Sequence, residues 1–146
     1  MKVYYYVRIY YNHDDGVYYV GIPGFPPGVS PECVTFGETL EHAREMAKEC
    51  IELMLEGYLQ DGDPIPTQDG MNTSGLEAIR IDESLAFVLW LREQREQRKL
   101  SQAQAASLLG MSTKNYQRLE NPKRCNPTLR TAVKIREGFG LEELIL

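Results

Sequence analysis

Residues 100–121 read LSQAQAASLLGMSTKNYQRLEN, and the placement of caps, glycine and apolar side chains in this stretch decides the architecture of the C-terminal part of the chain. Ser101 is an N-cap type ahead of a short helix over 102–109, and Gly110 stops it. Ser112 then caps a second short helix over 113–120. Helices joined by so few residues meet at a steep angle, which is the arrangement of a helix-turn-helix. Ala106 falls where the two approach most closely, and a small side chain permits that approach. Leu109, Met111, Tyr116 and Leu119 supply the apolar wedge between them. Upstream, 85–98 carries apolar residues at 87, 88 and 91 around Trp90, enough for a core-facing stripe. Downstream, Leu129, Ala132, Val133, Ile135 and Phe139 mark a further helix.

Charge divides the chain in the same place. Up to Ile79, Lys2, Arg8, Arg44 and Lys48 stand against thirteen Asp and Glu, a net of −9. From Arg80 onward twelve Lys and Arg stand against eight acids, a net of +4, and together these make the overall −5. A basic segment following an acidic one is expected where one module faces phosphates and the other has a different task. The three cysteines, Cys33, Cys50 and Cys125, are odd in number, far apart and in no C-x-x-C pair, which argues against a disulfide framework and a zinc site. The opening MKVYYYVRIYY has no signal-peptide core, and no apolar run approaches the roughly 18 residues of a membrane span. A soluble protein of the cytoplasm is expected, with no membrane partner and no cofactor.

The acidic part reads as strands followed by a helix. Residues 2–11 are dense in aromatic and β-branched types, the turn NHDDG follows at 12–16, and VYYVGI at 17–22 makes a second strand, so a β-hairpin is expected. A Pro- and Gly-rich loop over 23–31 precedes a short third strand at 32–36. From 39 to 59, apolar or small residues at 40, 43, 46, 47, 50, 51, 54 and 55 share one helical face, while Glu41, Arg44, Glu45, Lys48, Glu49, Glu52 and Glu56 occupy the other. Gly57 and the turn formers of 60–75 end this helix, and 76–81 is a last strand. The domain boundary is placed near residue 83, giving domains 1–80 and 84–146.

On its residues, 100–121 resembles the Cro and phage-repressor helix-turn-helix family, with its Leu-Ser-Gln opening, central Ala, Leu-Gly turn and closing Leu-Glu-Asn. The sequence departs at Pro122, where the family usually has Gly, and at Ala105, where Leu is more usual. A recognition helix exposes its N-terminal residues and one stripe to base edges in the major groove. Here those are Thr113, Lys114, Asn115, Gln117 and Arg118. The family's base-reading positions fall on Thr113, Lys114 and Arg118. Its phosphate-contacting positions fall on Gln102, Lys123, Arg124 and Asn126. The alternative for Arg118 is an ion pair with Glu120 or a neighbouring carboxylate. Such units normally act as dimers or higher homo-oligomers on palindromic double-stranded operator DNA. The tail LEELIL at 141–146 either pairs copies or closes the core of one.

The acidic part, from Tyr18 through Thr67, resembles the HicB-type antitoxin domain on Gly37, Thr39, Leu40, Ala43, Ala47, Gly62, Ile65 and Pro66. That resemblance implies a degenerate ribonuclease-H-like sheet with one long helix, so the whole chain is expected to be α+β with an all-α helix-turn-helix domain following. It also implies a protein partner, a small basic RNA-cleaving toxin of the HicA type. An acidic, Tyr-rich surface suits a basic partner, and the loop 23–31 with the acids of the long helix is the candidate surface; Tyr5 and Tyr18 read instead as sheet packing. Metal-dependent nucleases need several carboxylates on their cations, yet YYYVRIYY and VYYVGI contain none, and His13 and His42 are the only histidines. The domain therefore reads as non-catalytic. An antitoxin that also represses its own operon is the leading reading. The alternative is a repressor whose N-terminal domain senses a small ligand or only oligomerises.

Overall fold

The structure, a computed structural model, describes residues 1–25 and 33–144. The chain divides into two units, Val3–Asp82 and Glu83–Leu146, the latter grouped with Met1–Lys2. Its α+β composition is the class expected from the sequence.

In the first unit, β1 (Tyr4–Asn12) and β2 (Val17–Gly21) form the expected hairpin, in register from Arg8 opposite Gly21 to Asn12 opposite Val17. The Asn12 side chain accepts from Asp15 N at 2.9 Å, and Gly16 closes the turn at φ +69°. β3 (Thr35–Gly37) adds beside β2 and β4 (Glu77–Arg80) beside β1, giving the antiparallel order β3-β2-β1-β4. The third strand is shorter than expected from 32–36: Cys33 and Val34 precede the ladder, and Glu32 lies outside the described residues, as do 26–31 of the preceding loop.

The helix α1 (Leu40–Asp61) covers one face of this sheet. Ala43, Ala47, Ile51 and Leu55 are fully buried, as are Val7, Val20 and Ile22 of the sheet side. Small side chains at 43 and 47 let the start of the helix come close. At Gly37 that closeness is absolute, because a Cβ there would collide with the backbone of His42 and Ala43. Thr39 caps the helix, accepting from His42 N at 3.0 Å. The helix runs through Gly57 and ends at Asp61, beyond the expected 59, because Gly62 supplies the left-handed cap with its N–H on Tyr58 O. Gly37, Thr39, Ala43, Ala47 and Gly62 thus have structural reasons for their identity.

The long connection 62–76 is pinned by a buried glutamine. Gln68 Oε1 accepts from Tyr6 N at 2.8 Å, and its Nε2 donates to Tyr6 O and to Pro23 O, both at 2.8 Å. Extending the register of β1 and β2 would bring Tyr6 opposite Pro23, and proline has no N–H to donate. The Gln68 amide replaces the missing strand partner.

In the second unit, α2 (Glu83–Gln97), α3 (Gln102–Leu108), α4 (Thr113–Leu119) and α5 (Leu129–Phe139) follow in order. Leu85, Val88 and Leu91 join Ala105, Ala106, Leu109, Tyr116, Ala132, Ile135 and Phe139 in the core. α5 packs on the end of α3 at Gly138, where a Cβ would meet the Leu109 side chain. Arg98 Nη2 caps the C-terminus of α5 through Phe139 O at 2.6 Å, its guanidinium over the Phe139 ring at 4.7 Å. The cysteines are free, and among the described residues no helix is long and apolar enough to cross a membrane. Of the tail 141–146, residues 145 and 146 lie outside the described residues.

Replacing Gln68 with Ala strands the Tyr6 amide and carbonyl without partners. We expect a loss of about 1–3 kcal/mol, read as a lowered urea midpoint at unchanged slope; an unchanged midpoint would show that the glutamine is not what holds the connection.

Candidate nucleic-acid interface

The turn between α3 and α4 is built from local signals. Ser101 and Gln104 form a reciprocal capping box, with Ser101 Oγ accepting from Gln104 N at 3.1 Å and Gln104 Oε1 accepting from Ser101 N at 2.8 Å. Gly110 sits at φ +66° with open space where a Cβ would be, so its conformation alone calls for glycine. Met111 N then donates to Ala106 O at 3.0 Å, and Ser112 Oγ caps α4 by accepting from Asn115 N at 3.1 Å. Ala106, Leu109, Tyr116 and Leu119 are buried as expected; Met111 is only half-buried.

Burying Tyr116 and Leu119 turns the opposite side of α4 outward. Thr113, Lys114, Asn115, Gln117 and Arg118 are all exposed. Among the described residues the Lys114 and Arg118 side chains make no ion pair. The alternative for Arg118 does not occur, since Glu120 is engaged elsewhere. Beyond the helix, Lys123, Arg124 and Asn126 are exposed on a loop folded by Asn121, whose Oδ1 accepts from Lys123 N at 3.0 Å and whose carbonyl accepts from Arg124 N and Cys125 N. α4 and this loop therefore present a cluster of donors with three cations beyond Lys114.

Gln102 is placed differently from the others. It is half-buried, and its Nε2 donates to Glu120 Oε2 at 2.8 Å. The same carboxylate receives Arg95 Nε at 2.9 and 3.1 Å, while Arg95 Nη1 donates to Leu100 O at 3.0 Å. The Arg95 and Glu120 side chains are 15% and 5% exposed, so this is a buried ion pair. It joins α2, the start of α3 and the end of α4 at one point. Sequence reading missed Arg95, which stands 25 positions from its partner and carries no local motif. The available signal was a Glu at a helix C-terminus, where a negative charge is disfavoured unless a cation meets it. Beside the pair, the Tyr116 hydroxyl is buried without a hydrogen-bond partner among the described residues. Burial first, then the Glu120 charge, raises its pKa above that of an ordinary phenol against the opposing pull of the neighbouring Arg95 guanidinium, which lies close by without hydrogen-bond geometry.

Removing one member of a buried pair leaves the other charge uncompensated. Glu120→Ala is expected to cost about 3–5 kcal/mol, whereas Tyr116→Phe, which deletes a buried hydroxyl with no partner, should leave stability unchanged or slightly raised. Thermal melts of the two variants check both, and a destabilised Tyr116→Phe protein would mean that the hydroxyl is in fact paired.

Comparison with known proteins agrees with this geometry. The helix-turn-helix family matches residues 91–146. Over 109 residues the chain is 29% identical to Antitoxin HicB 2 of Photorhabdus laumondii subsp. laumondii, an alignment covering 75% of this chain and 73% of that protein. The chain is thus similar to a HicB antitoxin over three quarters of its length, and its residues 91–146 match the helix-turn-helix family.

Proposed function

We propose that the protein neutralises a small basic RNA-cleaving toxin of the HicA type through domain 1–80 and represses its own operon through domain 84–146, without enzymatic activity of its own and within the cytoplasm. The observation that carries the DNA half is the exposed stripe of α4 above the buried Tyr116 and Leu119. In this reading Thr113, Lys114, Asn115, Gln117 and Arg118 read base edges, and Lys123, Arg124 and Asn126 hold phosphates. Gln102 stands on the phosphate side as well, with its amide already oriented by Glu120. A seven-residue helix spans few base pairs, so a homodimer or higher homo-oligomer on a palindrome, with half-sites about 34 Å apart, supplies the remaining contacts.

Support for the toxin half comes from the similarity to Antitoxin HicB 2 and from the net charge of −9 up to Ile79, which steers a basic partner. The absence of Asp and Glu from β1 and β2 supports the non-catalytic reading.

Arg118→Ala is expected to weaken operator binding by about 1–3 kcal/mol and to relax sequence preference. Lys123→Ala should instead weaken all duplexes alike and reduce the salt-dependence slope by about one unit. Gel-shift titrations over a salt series distinguish the two, and an Arg118→Ala protein with unchanged operator affinity removes the base-reading assignment. Affinity purification from the native host should recover a small basic protein encoded beside this gene; recovery of none would sink the toxin assignment while leaving the operator reading intact.

A further inference from the structure

The sheet of the first unit has a second face, turned away from α1. Along β1 that face carries Tyr4, Tyr6, Arg8 and Tyr10, the alternation partners of the buried Tyr5 and Val7. Across the strands Tyr10 lies opposite Tyr19, and Tyr19 opposite Phe36. Tyr10 and Tyr19 meet edge to face with ring centroids 5.7 Å apart. Phe36 is 54% exposed and Tyr4 42%. The residues opposite Tyr6 and Arg8 are Ala78 and Gly21, which are too small to cover them. Single exposed aromatics are ordinary, but a contiguous row across a sheet marks a binding surface.

Charge on this face opposes that of the unit around it. The unit Val3–Asp82 contains four cations. Arg44 and Lys48 pair with Glu77 and Glu52 on or beside α1, with Arg44 Nε at 2.8 Å from Glu77. The other two, Arg8 and Arg80, are both on the open face, where Arg80 lies 5.7 Å from the centre of the Tyr4 ring. No strand position on this face holds an Asp or Glu. A basic protein would meet like charge here. A second copy packed face to face would bring like charges together, since the strand positions of this face supply no carboxylate.

We propose that this open face binds single-stranded RNA. Unpaired bases stack on exposed aromatic rings, whereas a duplex hides those base faces. Alternate residues of a strand stand about 6.5–7 Å apart, so exposed Tyr4 and half-buried Tyr6 and Tyr10 follow one another along β1 with exposed Arg8 set among them for a phosphate, and exposed Phe36 ends the row across Tyr19. The tyrosine hydroxyls provide donors and acceptors for the 2′-hydroxyl, which separates RNA from DNA. The surface is independent of the operator and toxin reading above.

The test is fluorescence anisotropy of full-length protein with a labelled, unstructured RNA of about 12 nucleotides at low salt. Binding should weaken about tenfold in Phe36→Ala, and Arg8→Gln should flatten the salt dependence; both variants change exposed side chains and should melt like the parent. A Lys114→Ala, Arg118→Ala double variant should lose operator binding and keep RNA binding, which separates the two surfaces. Four results would each overturn the proposal: no RNA binding by the parent, equal binding by the sheet-face variants, equal affinity for single-stranded DNA of the same sequence, or a lowered oligomeric mass in Phe36→Ala, which would make the face a contact between copies.

Discussion

Glu120 closes the last turn of the exposed helix α4, a position where the helix dipole disfavours a carboxylate. It is kept there by Arg95 from α2 and half-buried Gln102 from the start of α3, both at hydrogen-bond distance, with the Arg95–Glu120 pair largely out of water. A carboxylate shared in this way constrains three helices at once, since moving any one of them would leave a buried charge without its partner. The outward direction of Thr113, Lys114, Gln117 and Arg118 is a consequence. With Tyr116 and Leu119 packed inward and the C-terminal end anchored, α4 has one rotational setting, and its remaining side chains face solvent.

In the first unit the corresponding constraint is steric and backbone-directed. Glycine at 37 and alanine at 43 and 47 bring α1 against the sheet more closely than any larger side chain would allow. Where β2 turns away at Pro23, Gln68 inserts its amide so that the buried backbone of Tyr6 remains paired. A connection of this length would ordinarily be mobile or functional in its own right. Here one side chain ties it to the sheet. The HicB-like positions of this unit are therefore mostly explained by folding, and chemistry has to be sought on the surfaces: acids along α1, aromatics and arginines on the opposite sheet face.

The legible parts of the sequence were those governed by neighbours in the chain. Ser101, Gly110 and Ser112 specify caps and a stop within a few residues, so the turn and both its helices could be read directly. The same holds for the NHDDG hairpin, for Thr39 and for the apolar stripe of α1. Errors fell at ends set by tertiary fit. The third strand spans Thr35–Gly37, the residues that pair with β2, while Val34 reaches β2 only through its N–H on Val20 O, and α1 runs past Gly57 because its glycine cap is Gly62, a choice local propensity does not make.

The sequence by itself determined which segments are helix and which are strand, which side of each is apolar, and that a basic helix-turn-helix follows an acidic α+β part, because periodicity, capping and charge are properties of adjacent residues. Tertiary structure alone decided that Glu120 belongs to Arg95 and Gln102 and so leaves Arg118 without an ion pair among the described residues, that Gln68 completes β1, and that two arginines share a sheet face with a row of aromatic rings. Those are pairings between residues distant in the chain, and they exist only once folding has brought the partners within hydrogen-bonding or van der Waals distance.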